Sequence, residues 1–280
     1  MFNSNPSRPF QPLSVGDVVS AGVRLYRTHL TQYLRLSAIA YLWIFVPVYG
    51  WAKYSEITGR IARLAFGDVI QQPESEAEVM RHTQPQLWNF LAAGLLVGCI
   101  AFGIYIVVII ALLILVGLAL VLGSVSPGLA RVILPIFAVV GFIALLILII
   151  RLFSRLLIVE VPLAIEPNLD AVSAISRSWK LTQGAVGRIQ WIVVVTFLIT
   201  LVVNIPTQVL SALLPTEDVN PGVALLSTFL LLGVSFGGAI LVMPLWQAIK
   251  AVVYYDLRAR REGFGLGLRN PAGPIDPIDP

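Results

Sequence analysis

Residues 87–122 read LWNFLAAGLLVGCIAFGIYIVVIIALLILVGLALVL and contain no charged side chain. The hydrocarbon core of a bilayer is about 30 Å thick, and about 20 apolar residues of α-helix cross it. At a rise of about 1.5 Å per residue this stretch would form a helix about 54 Å long, so one span does not use all of it. Because the run is continuous and lacks the alternation of barrel strands, it predicts transmembrane helix.

The composition of the whole chain is that of a membrane protein. Of its 280 residues, 58% are hydrophobic and 12% are charged, whereas soluble domains carry about 25% charged residues. The mean hydropathy is +0.87. The single cysteine, Cys99, lies inside an apolar run, which excludes a disulfide framework and a Cys-x-x-Cys pair. We therefore predict an all-α, polytopic transmembrane helical bundle.

The chain has four further apolar runs that are long enough to cross a bilayer. They lie at 34–51, 132–150, 189–213 and 223–243. Basic residues cluster in the N-terminal region, in 151–188 and in 250–269, and by the positive-inside rule these regions face the cytoplasm. Two short spans within 87–122, turning near Phe102 and Gly103, then give about six spans with both termini cytoplasmic. One long tilted helix over 87–122 would instead give five spans and place the termini on opposite sides.

Local signals also predict amphipathic helices on the cytoplasmic side. Ser14 and Asp17 form a capping sequence that predicts a helix start. Asp170 predicts the start of a second amphipathic helix, which ends at Gly184. Residues 246–262 are expected to continue the last span as a charged cytoplasmic helix.

The remaining segments complete the predicted domain organisation. We expect residues 53–85 to form a solvated loop with a short helix at 57–70. Residues 1–12 and the Pro-rich residues 266–280 are predicted to be a disordered leader and tail. A single transmembrane domain then occupies residues 13–265.

The candidate functional residues are basic side chains on the cytoplasmic side, together with aromatic and acidic neighbours. They are Arg151, Arg155, Glu160, Arg177, Trp179, Lys180, Tyr255, Asp256, Arg258, Arg260 and Arg261. Each basic residue near anionic lipid contributes about 1 kcal/mol to binding. Arg151 and Arg155 share a helix face and either extend to lipid phosphates, with Glu160 paired to a nearby base, or join Glu160 in a substrate or ion site.

Catalytic and metal-binding motifs are absent from the sequence. No phosphate-binding loop, zinc spacing or nucleophile elbow occurs, so we expect no enzyme activity and no cofactor. A nucleic-acid partner is not expected either. The pairs Gly94/Gly98 and Gly233/Gly237 fit the small-xxx-small spacing, which we interpret as packing within the chain.

Four stretches of the sequence resemble a known family. They are PLSVGDVVSAGVRLYRTHL (12–30), VPVYGWAKY (46–54), RSWKLTQG (177–184) and YYDLRARREGFGL (254–266). These look like an uncharacterised bacterial multipass family, and the VPVYGWAKY segment looks most like its cyanobacterial members. Its relatives include the membrane domain attached to some glycerophosphoryl diester phosphodiesterases. The resemblance implies a helical bundle with the RSWK and YYDLR segments on the cytoplasmic side, and it implies no established activity.

Two functional hypotheses remain open, and a lipid-directed enzyme ranks below both. The first is a non-enzymatic scaffold, assembly factor or accessory subunit that binds anionic lipid or a protein partner, including a second copy of itself, through its basic cytoplasmic face. The second is a transporter or channel for a small solute, favoured by Glu160, Asn204 and Pro206. Both place the protein in a bacterial inner membrane or a thylakoid membrane.

Overall fold

The computed structural model describes residues 13–214 and 220–262, which contain ten α-helices and no β-strand. The helices are α1 (Val15–Thr28), α2 (Leu30–Trp43), α3 (Tyr49–Val69), α4 (Glu76–Thr83), α5 (Leu87–Val125), α6 (Pro127–Leu156), α7 (Glu160–Ile165), α8 (Ala171–Thr182), α9 (Val186–Leu213) and α10 (Pro221–Glu262). The leader and tail that the sequence predicts to be disordered lie outside the described residues.

Four long helices form two hairpins. In the described chain, α5, α6, α9 and α10 are long and apolar enough to cross a membrane. Helix α5 packs on α6, and α9 packs on α10. Along 98–153, and along 194–214 with 220–242, which we call the two arms, large apolar side chains point outward, and Leu113 is 65% exposed. Such a surface is compatible with location in a membrane, because lipid rather than water solvates it.

The other helices pack around the bases of the arms and form what we call the head. Its core joins residues that are distant in sequence, among them Tyr33, Ile61, Ile249 and Tyr254, each at most 1% exposed. Helix α1 crosses α10 closely at Gly22, where a β-carbon would lie 2.4 Å from the Ile249 Cγ1 atom. The head therefore depends on the last part of α10, which runs through its centre.

Helix starts follow the local sequence signals. The Ser14 side chain accepts a hydrogen bond from the Asp17 amide, and the Asp17 carboxylate accepts one from the Ser14 amide, as predicted. These bonds lower the pKa of Asp17. Asp170 caps α8 through the Ser173 amide, and Pro127 is the first residue of α6. The predicted starts at Ser14 and Asp170 are confirmed.

Three predictions about the spans are wrong. Residues 34–51 do not form one span, because α2 ends at Trp43 and α3 starts at Tyr49 and turns back along it. Residues 53–85 are not a solvated loop, since most of α3 is buried in the head. Residues 87–122 lie in one continuous helix with no turn at Phe102 or Gly103. The described chain thus has four candidate spans, where six were predicted.

With four spans, the basic regions still lie at the same end of the molecule. Two hairpins return the chain to the head, so the described lysines and arginines lie in the head or at the bases of the arms, with Arg131 the exception. Arg131 follows the turn between α5 and α6, at the opposite end of the molecule. The predicted clustering of positive charge at one end is therefore retained with fewer crossings.

Candidate functional site

Several predicted site residues form an ion-pair network inside the head. The Arg177 guanidinium bridges Glu166 at 2.8 Å and Glu262 at 2.6 Å. Arg258 also pairs with Glu262, at 2.9 Å, and the Tyr254 hydroxyl donates to Glu166 at 2.5 Å. Burial opposes the charge of Arg177, but Glu166 and Glu262 outweigh that effect and raise its pKa. This network holds α8 against the end of α10.

Asp256 is the centre of a second network. It is 5% exposed and accepts hydrogen bonds from Arg188 at 2.5 Å and from Arg260 at 2.9 Å. Both arginines also donate to the backbone carbonyl of Leu13. The network therefore ties α9 and α10 to the residue before α1. Arg188 lay outside the predicted set, because no local pattern indicates its distant acidic partner.

The remaining C-terminal candidates also lie against the head. Arg261 donates to the carbonyl oxygen of Gln183, just after α8. Tyr255 is half-buried and lines a groove between α1 and α10. In the described chain, most of the C-terminal candidates thus form ion pairs or hydrogen bonds with other residues of the same protein.

Of the four other candidates, Arg155 and Trp179 meet on the surface where α6 packs against α8, and Arg151 and Lys180 lie near them in sequence. The Arg155 guanidinium lies 4.3 Å from the centroid of the Trp179 ring, within the range of a cation–π contact. Ser178 fixes this approach, since its hydroxyl donates to the Arg155 carbonyl at 2.6 Å. Arg151 is one turn up α6, and Lys180 follows Trp179; both are exposed. We call Arg151, Arg155, Trp179 and Lys180 the α6–α8 patch.

The patch differs from the networks in its charge balance. Within residues 13–214 and 220–262, none of its three cations lies within 4.0 Å of a carboxylate. The Arg155 Nη1 atom is buried and has no acceptor there. An unsatisfied buried donor costs about 1–3 kcal/mol. The patch therefore has the charge to bind an anion.

A cavity of about 490 Å³ lies between the bases of the two arms, which we call the interarm cavity. It is lined by Ser55, Phe90, Ala93, Gly94, Val97, Ile149, Ile150, Phe153, Ser154, Leu156, Leu157, Val159, Glu160, Val193, Trp246 and Lys250. Glu160 and Lys250 are its only charged lining residues among those described, and they pair at 2.5 Å. The predicted pairing of Glu160 with a base is confirmed, whereas Glu160 does not join Arg151 and Arg155.

A smaller groove of about 390 Å³ contains polar groups beside the arms. Tyr41, Tyr54, Asn204 and Gln247 contribute to its lining. Gln247 is 4% exposed, and its Oε1 atom has no hydrogen-bond donor within the described residues. The groove is thus lined partly by polar groups, as a site for a small polar solute would be.

A sequence profile of the domain of unknown function DUF7847 matches residues 77–257. The match runs from α4 into the last part of α10 and includes the α6–α8 patch and the interarm cavity. The chain belongs to the DUF7847 family. Comparisons of this DUF7847 protein with curated proteins and with solved structures give no match. The family description assigns no activity, no link to phosphodiesterases and no source organism.

Proposed function

We propose that this DUF7847 protein is a non-enzymatic integral membrane protein that binds anionic lipid headgroups through the α6–α8 patch. The observation that carries the proposal is the patch itself, where three cations at the base of an apolar arm have no carboxylate partner among the described residues. Lipid phosphates lie at that level of a bilayer when the arm spans it. In this role the protein acts as a scaffold or accessory subunit.

The chemistry of the patch suits a phosphate group. Arginine offers a planar set of donors that matches two phosphate oxygens at once. Contact with the Trp179 ring orients the Arg155 guanidinium, and tryptophan favours the membrane interface.

The proposed orientation places the head and both chain termini in the cytoplasm of a bacterial cell, in the inner or thylakoid membrane. The positive-inside rule supports this arrangement, since Arg131 is the described basic residue at the far end. The resemblance to the membrane domain of glycerophosphoryl diester phosphodiesterases supports the same orientation. Other membrane proteins, or a second copy of the chain, remain proposed partners of the same basic face.

Replacing Arg151, Arg155 and Lys180 together with glutamine tests the proposal. Each cation contributes about 1 kcal/mol, so affinity for phosphatidylglycerol should fall on the order of a hundredfold. Native mass spectrometry measures the phosphatidylglycerol that stays bound to the purified protein, with phosphatidylcholine as the reference lipid. The matched control replaces three arginines that are exposed outside the patch, Arg27, Arg81 and Arg131. Equal loss in both variants, or no loss in either, would contradict the proposal.

The polar groove beside the arms supports a second candidate function, transport of a small solute. A buried Gln247 acceptor without a donor is the kind of group that a solute hydroxyl or amine would satisfy. Purified protein in liposomes should then move a polar solute, and Gln247→Leu should abolish the flux. Liposomes that show no flux for any ion or polar solute tested would exclude this candidate and leave the lipid-binding role.

A further inference from the structure

The interarm cavity is positioned to receive molecules from the bilayer. It lies where α5, α6, α9 and α10 enter the head, and Phe153 both lines the cavity and is 51% exposed. The cavity is therefore open toward the surface that lipid would cover. Its volume of about 490 Å³ falls within the range of about 300–1,000 Å³ that is typical of ligand sites.

The lining separates into an apolar wall and one charged pair. Aromatic and aliphatic side chains from both arms form the wall, including Phe90, Ile150 and Val193. The Lys250 and Glu160 side chains are 16% and 28% exposed. A ligand that fits this lining has an apolar chain and a small polar headgroup.

The charged pair also restricts the charge of that headgroup. An anion that bound Lys250 alone would break the ion pair between Lys250 and Glu160. The partly buried Glu160 carboxylate would then have no partner, which is unfavourable. A zwitterionic headgroup avoids this, because its phosphate can contact Lys250 while its ammonium contacts Glu160. The net charge of the site is then the same with and without ligand.

We propose that the interarm cavity binds a single-chain amphiphile with a zwitterionic, phosphoethanolamine-type headgroup. The apolar chain occupies the space between the arms, and the headgroup separates Glu160 from Lys250 and contacts both. This proposal does not rest on the α6–α8 patch, whose cations favour anionic headgroups and do not line the cavity.

Charge variants test the recognition of the headgroup. The probes are two monoacyl lipids of equal chain length, one with a phosphoethanolamine and one with a phosphoglycerol headgroup, and binding to the purified full chain is measured by native mass spectrometry. Wild-type protein should bind the phosphoethanolamine lipid at least about tenfold more tightly. Glu160→Gln should lose that preference, because Lys250 is then free to bind the phosphate of either lipid, and the exchanged pair E160K/K250E should retain it to within about threefold. Equal or tighter binding of the phosphoglycerol lipid by wild-type protein would overturn the proposal.

A pair of glycine variants tests the location of the chain. A β-carbon at Gly94 meets only the Ser55 hydroxyl, at 3.9 Å, so Gly94→Leu can extend into the cavity without backbone strain. Gly98 is one turn further along α5, has open space around it and does not line the cavity. G94L should abolish binding and G98L should leave it unchanged, with melting temperatures confirming that both fold. Equal binding by G94L and G98L would overturn the proposal, whereas the patch variants should leave this binding unaltered.

Discussion

Glu56 is the charged residue that the head buries most completely. Its side chain is 0% exposed and accepts two hydrogen bonds from Arg60, at 2.6 and 2.7 Å. Thr83 donates to the same carboxylate at 2.5 Å, and the Lys53 ammonium lies 3.7 Å away. A buried carboxylate is tolerated because these donors replace its hydration. The cluster joins α3 to the end of α4.

Replacing Glu56 should therefore destabilise the protein strongly. We expect Glu56→Ala to lower the free energy of unfolding by about 3–5 kcal/mol, because Arg60 is then left buried without its partner. The control is Glu76→Ala, which breaks a more exposed pair with Arg35 and should cost less than about 1 kcal/mol. Denaturant titration in detergent measures both values. If both variants lost the same free energy of unfolding, the buried pair would contribute no more to stability than the exposed one, which would contradict the prediction.

At the scale of elements, the turn between α2 and α3 has an apolar, outward-facing surface. Phe45 is 69% exposed and Val48 is 53% exposed. The Phe45 ring nevertheless lies 5.6 Å from that of Phe236, which belongs to an arm. The turn is compact, because a β-carbon at Gly50 would lie 1.9 Å from the Trp43 carbonyl oxygen. Since the turn lies beside an arm, it should contact lipid wherever the arm does.

A fluorescent label on the turn tests this contact. In a Cys99→Ser background, a polarity-sensitive probe at Val48→Cys should have blue-shifted emission and be quenched by quenchers attached to lipid chains. The control is Gln72→Cys, on an exposed residue after α3, which should be quenched by water-soluble iodide instead. A water-like spectrum at position 48 would show that the turn lies outside the bilayer.

At the scale of the whole molecule, the head and the arms have opposite surfaces. The arms expose apolar side chains, whereas the head contains the ion-pair networks and almost all described basic residues. Charged groups are costly in hydrocarbon and favourable near headgroups, so this division predicts that only the arms cross the bilayer. Helices α1 to α4 then remain with the head.

Labelling in sealed vesicles distinguishes four spans from six. With four spans, Gln72→Cys and Arg131→Cys lie on opposite sides of the membrane. With six spans, both lie on the outer side. In a Cys99→Ser background, an impermeant maleimide added to right-side-out vesicles should label position 131 and spare position 72, with the reverse in inverted vesicles. Labelling of positions 72 and 131 alike from the outside would contradict four spans and support six.

The local sequence was sufficient to predict the class of protein and many of the helix starts. Long uncharged runs predict lipid-facing helix because hydropathy is a property of each segment alone. The caps at Ser14 and Asp170 were predictable for the same reason. Pro244 does not end α10, and residues 246–262 continue it as expected. The DUF7847 match places the chain in a family of unknown function and adds no activity.

Tertiary packing decided the number of spans and the composition of the candidate sites. Residues 34–51 are apolar enough to suggest a span, but α3 carries Glu56 and Arg60 into the head and turns the segment back. Gly98 and Gly233 fit a packing motif, yet both have open space around them.

By itself, then, the sequence determined that this is an all-helical chain with apolar membrane-length segments and helix starts at defined residues, because those properties arise from neighbours along the chain. Only the tertiary structure decided which arginines are paired internally, which remain at the α6–α8 patch, and that a cavity with one ion pair lies between the arms. Those features depend on contacts such as that of Glu160 with Lys250, ninety positions apart, and local pattern does not encode such distances.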